Sequence, residues 1–261
     1  MSNRLTITPM KPIRYLILAI SLFSSSCDHV TDPNDPGLKV PWNNGQSIVC
    51  FGTSLTAGYL GGWSNPIFVS ATTPYVLSKQ SSASAADSTS YPALLSNVLR
   101  IKVFNQGYIG ATTQDALNIV GDSVFTKHPA IVLLEFGAND LLQSIDVETT
   151  QRQLARLIDT IRAFGSKVVL ISFLYTEMID SIPSTSFLYS RKADGYSYLA
   201  MLEQVGSGHA DIFIEKAMKG IYWHSNLMSD ALHPNQAGYR IMEDNIQSFL
   251  DGTFRRNAMY K

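Results

Sequence analysis

Short apolar runs, rich in β-branched residues, recur along the chain from residue 47 onwards. They predict strands over residues 47–52, 101–105, 130–136 and 167–173, and a weaker fifth strand over residues 211–215. An unbroken apolar run of this length is typical of a strand that is buried on both faces of a sheet. The pattern therefore predicts a core built from buried strands.

Helical patterns lie between these runs. Leu154, Leu157 and Ile161 fall on one face of a helix, and further helices are predicted over residues 92–99 and 236–250. Strands that alternate with helices imply a mostly parallel sheet with helices on both faces. In such sheets the functional groups lie at the carboxyl ends of the strands. The sequence thus predicts an α/β fold and the edge that carries its chemistry.

Two long stretches interrupt the alternation. Residues 60–89 form an insertion after the first strand, which is either a lid or a plain surface loop. Residues 174–200 form a second excursion, which we expect to be partly helical. The aromatic-rich stretches 60–75 and 187–198 either line an acyl or sugar site or contribute only to packing.

The first thirty residues are typical of an export signal rather than of a fold. Lys11 and Arg14 precede an apolar run over residues 15–23, which is shorter than the ~20 residues that span a bilayer. Three serines then lead into Cys27, and this arrangement resembles a bacterial lipoprotein signal, in which the cysteine is lipidated. The alternative is an ordinary cleaved signal with an incidental cysteine.

These features predict the domain organisation. We expect a signal peptide over residues 1–27 with Cys27 as a candidate lipidation site, a linker over residues 28–46, and a globular domain over residues 47–252, followed by a tail over residues 253–261. The protein would be exported to the cell envelope, periplasmic or on the outer surface, with a lipid at its N-terminus as its membrane contact.

Composition narrows the function classes. The 20 Lys and Arg residues are balanced by 21 Asp and Glu residues, so no basic surface for nucleic acid is expected. A hydrophobic content of 45% excludes global disorder. With only Cys27 and Cys50, a disulfide scaffold and a cysteine zinc site are both excluded. Cys50 lies in an apolar run, so we expect it in the core.

Two motifs follow the first two predicted strands. Ser54 lies in segment 51–58 after the first strand, at the start of a helix whose unpaired N–H groups favour an oxyanion. Gly110 lies in segment 105–113 after the second strand, where glycines let backbone N–H groups approach a ligand. Taken alone, each motif is more typical of a helix cap or of a strand–helix turn.

Two further motifs complete the set. Asn139, in segment 137–140 after the third strand, can donate a side-chain N–H to a developing oxyanion. Asp230 lies three residues before His233 and can accept its Nδ1–H, while Pro234 biases His233 away from helical backbone and starts a helix. Each motif is weak alone. Together they supply the nucleophile, oxyanion donors, base and orienting acid of a serine acyl hydrolase.

The four motifs, over residues 47–250, resemble those of the SGNH, or GDSL-like, hydrolase family of lipases and acylhydrolases. The resemblance implies a three-layer α/β/α sandwich with a mostly parallel, five-stranded, flavodoxin-like sheet. It also implies a catalytic set made of Ser54, His233 and Asp230, and an oxyanion hole formed by the N–H groups of Ser54 and Gly110 with the side chain of Asn139.

The chain departs from the family pattern at two places. The family usually has an aspartate before the nucleophile, where this chain has Thr53. That aspartate is not a member of the catalytic set, so the departure weakens only a subfamily assignment. The insertion over residues 60–89 also separates this chain from compact members of the family.

The function implied by the resemblance is that of a serine esterase. It would hydrolyse lipid-derived, short-chain acyl or acetylated glycan esters through an acyl-enzyme, without a metal or an organic cofactor. Two other hypotheses stay open: a non-catalytic lipid- or glycan-binding surface lipoprotein, and an acyltransferase that shares the acyl-enzyme. An α/β-hydrolase is disfavoured, because Thr56 occupies the last glycine position of its Gly-x-Ser-x-Gly elbow. The sequence indicates no oligomeric state.

Overall fold

A five-stranded parallel sheet forms the centre of the computed structural model, which describes residues 46–60 and 87–258. The strands, in chain order, are β1 (Ser47–Gly52), β2 (Lys102–Gly107), β3 (Ile131–Glu135), β4 (Lys167–Ile171) and β5 (Ile212–Ile214). Their order across the sheet is β2-β1-β3-β4-β5. Every residue of β1 and β3 is buried, as expected of strands covered on both faces. The predicted α/β class is therefore confirmed.

Helices cover both faces of the sheet. They are α1 (Ser54–Ala57), α2 (Tyr91–Leu99), α3 (Thr113–Ser123), α4 (Ala138–Leu142), α5 (Val147–Ala163), α6 (Thr176–Asp180), α7 (Lys192–His209) and α8 (Gln236–Ala258). One layer contains α2 packed against α8, and the other contains α5 packed between α3 and α7. The predicted stripe of α5, represented by Leu154, Leu157 and Ile161, is fully buried. In the part of the chain that the structure describes, no helix is both long and apolar enough to cross a membrane.

The strand order fixes where a site can form. The chain passes from β1 to β2 on one side and then crosses back to β3 on the other side of β1. At such a switch point, the connections on the two sides of the central strand diverge and leave a crevice at the carboxyl ends. Gly52 of β1 lies beside Gly107 of β2 and beside Glu135 of β3, so these three strands end level.

Several strand bounds differ from those predicted. β2 covers Lys102–Gly107 rather than residues 101–105, because its ladder with β1 continues to the pair of Gly52 and Gly107. β4 ends at Ile171 rather than at residue 173, since its ladder with the short β5 ends there. β3 and β5 are each shorter than predicted by one residue at both ends.

The last helix begins at Gln236, as predicted, but continues past its predicted end. The prediction that Pro234 starts a helix was wrong, because Pro234 instead forms an isolated antiparallel bridge with Met228. α8 begins at Gln236, and Asn235 accepts the N–H groups of its first turn. The helix continues to Ala258, beyond the predicted end near residue 250. A single glycine inside a helix costs only about 1 kcal/mol, so Gly252 does not end it.

Other predictions have mixed outcomes. The excursion over residues 174–200 contains α6, a 3₁₀ turn over Tyr189–Arg191 and the start of α7, so its partly helical character is confirmed. Cys50 is fully buried, as expected. The predictions for residues 1–45, including the signal peptide and Cys27, and for residues 61–86 lie outside the described residues.

The end of β2 lies unusually close to the turn after β1. A methyl group built on Gly107 would lie 2.1 Å from the backbone nitrogen of Ala57 in α1. Backbone atoms cannot yield to such a contact as a flexible side chain can. Only glycine therefore lets β2 end beside the helix that begins with Ser54.

We expect Gly107→Ala to destabilise the protein by about 1–3 kcal/mol, because the added methyl overpacks a rigid contact. The matched control is Gly121→Ala in α3, where the new methyl meets no atom within 4 Å. Alanine should there stabilise the helix by about 0.5–1 kcal/mol. Urea unfolding of both variants measures the difference, and equal effects would contradict the close approach.

Candidate active site

Ser54 is the first residue of α1, directly after β1 and at the carboxyl edge of the sheet. Thr53 is the N-cap residue and has extended backbone, but its side chain makes no capping hydrogen bond. The N–H of a first helical residue has no acceptor within its own helix. Ser54 is half-buried. Its position thus matches the predicted start of a helix.

Ser54, His233 and Asp230 form a hydrogen-bonded chain. His233 Nε2 lies 3.0 Å from Ser54 Oγ, and His233 Nδ1 lies 2.9 Å from each carboxylate oxygen of Asp230. Because a carboxylate only accepts hydrogen bonds, Nδ1 carries the hydrogen and the lone pair of Nε2 faces the Ser54 hydroxyl. This arrangement allows the imidazole to accept the proton of Ser54.

The loop around Asp230 orients its carboxylate. Oδ1 accepts the backbone N–H groups of Leu232 and His233, each at 2.8 Å. Burial disfavours the charged form, but the hydrogen bond from the His233 side chain, its charge and the two N–H groups together hold the pKa of Asp230 below its ordinary value. Asp230 is therefore ionised at neutral pH, as an acceptor for an imidazolium must be.

Gly110 and Asn139 lie on the loops after the two strands that flank β1. Gly110 has a φ of +78°, a backbone conformation that favours glycine. Its N–H has no acceptor among the residues that the structure describes. Asn139 Nδ2 donates one hydrogen to the Ala111 carbonyl at 2.8 Å. Its second hydrogen remains available, since an amide nitrogen carries two. The predicted donors therefore lie on neighbouring loops at the same edge.

A buried carboxylate ties these two loops together. Asp140 accepts the backbone N–H of Thr113 at 3.0 Å and also the Thr113 hydroxyl. Burial raises the pKa of Asp140, although the hydrogen bonds from Thr113 oppose that effect. The contact holds the start of α3, after the Gly110 loop, against α4, which carries Asn139.

A second buried carboxylate, Glu135 at the end of β3, faces the turn around Ser54. It accepts the Thr53 N–H at 3.0 Å and lies 2.9 Å and 3.2 Å from the hydroxyl oxygens of Thr53 and Thr56. Burial raises the pKa of Glu135 to about 7, although these hydrogen bonds favour the charged form. None of the four sequence motifs includes Glu135. A single charge inside the apolar run 130–136 was the available signal.

Two tyrosines beside the site were also missed. The ring of Tyr59 packs edge-on against the imidazole of His233, with centroids 4.9 Å apart. Tyr239 of α8 donates a hydrogen bond to the Tyr59 carbonyl at 2.9 Å. Neither tyrosine belongs to a motif, so only the tertiary contacts identify them. Over residues 46–60 and 87–258, no three His, Cys, Asp or Glu side chains cluster as metal ligands would.

Comparison with known proteins identifies similar sequences. The sequence profile of the GDSL-like lipase/acylhydrolase family matches residues 50–241. An arylesterase from Vibrio mimicus is 28% identical over 150 residues, which cover 56% of this chain and 70% of that protein.

Solved structures share the fold. TesA superposes with a TM-score of 0.61 at 19% identity, covering 80% of this chain and 100% of TesA. A variant of the acetyl-xylooligosaccharide esterase Axe2 from Geobacillus stearmophilus gives a TM-score of 0.58 at 18% identity, covering 83% of this chain and 97% of that chain. These structural likenesses confirm the three-layer arrangement around the parallel sheet.

The raised pKa of Glu135 makes stability depend on pH. Its pKa is about 7 in the folded protein, above the ordinary glutamate value of 4.5. Its contribution to stability is therefore complete below pH 4.5 and is lost as the pH rises to about 7. We expect the wild type to lose on the order of 3 kcal/mol more than Glu135→Gln across this window. Urea unfolding at both ends of the window tests this, and parallel losses would contradict it.

Proposed function

This chain belongs to the GDSL-like lipase/acylhydrolase family and is a carboxylic ester hydrolase, and from that premise we propose that it acts through an acyl-enzyme on Ser54. The hydrogen-bonded chain from Asp230 through His233 to Ser54 is the observation that carries the proposal. The 3.0 Å between His233 Nε2 and Ser54 Oγ is within the range needed for direct proton transfer.

Acylation begins when Ser54 Oγ attacks the ester carbonyl carbon. His233 Nε2 takes the hydroxyl proton, and the carbonyl π electrons move to oxygen, which becomes an oxyanion. Asp230 stabilises the resulting imidazolium through Nδ1–H without accepting the proton itself. His233 then gives its proton to the leaving alcohol oxygen as the ester C–O bond breaks.

Three N–H donors would stabilise the oxyanion: the backbone groups of Ser54 and Gly110 and the second Nδ2 hydrogen of Asn139. One such donor lowers the barrier by about 3–4 kcal/mol. Water then repeats the attack on the acyl-enzyme, with His233 as base, and releases the acid while Ser54 regains its proton. Each step therefore uses only the ester, one water molecule and the side chains and backbone N–H groups named above.

The substrate is proposed to be a lipid-derived, short-chain acyl or acetylated glycan ester. Similarity to an arylesterase supports the use of aryl esters as test substrates.

Arg191 hydrogen-bonds to the carbonyls of Leu141 and Leu142 in α4, which also carries Asn139. Tyr189, which precedes Arg191, is 48% exposed, and we propose that it contacts a substrate that extends from Asn139.

The catalytic assignment is tested on a short-chain aryl ester. Ser54→Ala and His233→Ala should lower kcat by about 10⁴-fold or more, because each removes a group that forms or breaks a bond. Asp230→Asn should lower kcat by a smaller factor, since Asp230 only orients His233. Ser166→Ala, which removes a buried hydroxyl near the amino end of β4, is the control and should stay active.

Labelling with a fluorophosphonate probe gives an independent check, because the probe reacts only with an activated serine. Labelling of the wild type that disappears in Ser54→Ala supports the assignment. Full ester hydrolysis by Ser54→Ala would refute it. A folded wild type that neither labels nor hydrolyses would indicate a binding protein instead.

A panel of aryl esters of increasing acyl length, run beside acetylated glycans, separates the substrate classes. Each methylene that enters an apolar acyl site contributes about 0.8 kcal/mol, so kcat/KM rises steadily with length only if such a site exists. A rise that continues beyond about eight carbons indicates lysophospholipids. Turnover of acetyl esters alone indicates acetylated glycans, and a kcat/KM that falls as the acyl chain lengthens indicates short-chain acyl esters.

A further inference from the structure

The carboxylate of Glu135 contacts two residues that flank Ser54 in sequence. Oε2 accepts the backbone N–H of Thr53 at 3.0 Å, and both carboxylate oxygens lie within 3.0 Å of the Thr53 hydroxyl. The Thr56 hydroxyl lies 3.2 Å from Oε2. Since Thr53 immediately precedes Ser54 and Thr56 lies in the same helical turn, Glu135 fixes this turn from its buried side.

The donors around Glu135 fit an ionised carboxylate. Thr53 supplies an N–H and an O–H, and Thr56 supplies an O–H. The hydroxyl of Tyr91, 3.2 Å from Thr56 Oγ1, can supply the hydrogen that Thr56 accepts. An ionised carboxylate accepts all three donors, whereas a protonated one carries its own hydrogen and forces one donor to turn away. The charged form therefore gives the turn its full set of hydrogen bonds.

We propose that Glu135 is a positioning residue for Ser54, and that its charged form is the one that holds the turn around the nucleophile. The proposal rests on the proposed function, because it requires Ser54 to be the nucleophile. Glu135 acts through Thr53 and Thr56, and the reacting ester does not touch it. Protonation of Glu135 therefore lowers the rate without blocking the site.

The surroundings of Glu135 explain why it titrates near neutrality. The titratable groups that face it are Tyr91 of α2, Tyr222 after β5 and Tyr239 of α8, and burial raises the pKa of all three, so they stay neutral. Among the described residues, no Lys, Arg or His forms an ion pair with Glu135. With no cation beside it, its pKa is about 7, and mild acidification protonates it.

The threonine at position 53 suits this role. The family resemblance leads one to expect an aspartate there, and its carboxylate would add a second negative charge against Glu135. Two carboxylates in contact cannot both ionise readily, and one of them keeps a proton. Thr53 instead brings two donors and no charge, which allows Glu135 to ionise.

The pH dependence of kcat/KM for an aryl ester tests the proposal. In Glu135→Gln the side chain stays uncharged at every pH, so the ratio of wild-type to variant kcat/KM removes the pH dependence that the two proteins share. Glu135 is charged above about pH 7, so this ratio should be about ten there and should fall towards one as the pH is lowered. At alkaline pH we expect Glu135→Gln to have a kcat about tenfold lower than that of the wild type, with KM little changed.

Three variants control for general damage. Thr53→Ser keeps both donors and should retain wild-type kcat, whereas Thr53→Val loses only the hydroxyl and should show an intermediate loss. Ser166→Ala removes a buried hydroxyl that donates to the Pro129 carbonyl at 2.7 Å, near the amino end of β4. It should change neither kcat nor the pH dependence of kcat/KM.

A second readout does not depend on turnover. The amide proton of Thr53 donates to Glu135, so its chemical shift should titrate with a midpoint of about pH 7 in the wild type and stay constant in Glu135→Gln. A Thr53 amide that does not titrate, or a ratio of wild-type to Glu135→Gln kcat/KM that does not change with pH, would overturn the proposal. A wild type without ester hydrolysis would refute the proposed function instead, and the amide titration would still decide whether Glu135 holds the turn.

Discussion

Gly52, Gly107 and Glu135 lie side by side because β1, β2 and β3 are parallel and in register. The segments that follow these strands therefore start at one edge of the sheet, and Ser54, Gly110 and Asn139 each lie within four residues of a strand end. The strand order reverses direction at β1, and a reversal of this kind opens a crevice at that edge of a parallel sheet. The positions of the proposed nucleophile and of both proposed oxyanion donors thus follow from strand pairing.

His233, the proposed base, lies near the opposite end of the chain. His233 follows Ser54 by 179 residues, so their contact depends on how the segment before α8 is held. Within that segment Asp230 accepts two backbone N–H groups and the Nδ1–H of His233. Tyr239 of α8 then hydrogen-bonds to the carbonyl of Tyr59. Packing of α8 against α2 therefore completes the site.

Three carboxylates serve the site, and their surroundings give them different behaviour. Asp230 is 22% exposed in its side chain, and its partners lower its pKa, so it is the charged partner of His233. Asp140 and Glu135 are fully buried and their pKa values are raised. Asp140 accepts hydrogen bonds from Thr113 at the start of α3, and Glu135 accepts them from Thr53 and Thr56 around the start of α1. Each carboxylate therefore holds the start of a neighbouring helix in place. The same functional group thus orients a base in one position and stabilises backbone in the others.

The sequence by itself determined the strands, the order of the four motifs and the local pair of Asp230 and His233. Each of these depends on neighbouring residues: apolar runs that must be buried, helix starts, and a three-residue spacing that lets a carboxylate reach an imidazole. The fold class followed from the alternation of strands and helices. The same alternation also predicts that the motifs share one edge of the sheet.

Only the tertiary structure decided what Glu135, Thr53 and Tyr59 do. Glu135 and Thr53 are 82 residues apart, and nothing near either one in sequence indicates that they hydrogen-bond. The exact ends of β2, β4 and α8 were also outside the reach of local patterns, because ladders end where their partner strands end and a helix can pass through one glycine. Long-range packing supplies these contacts, and a buried charge acquires its role only when the donors around it are in place.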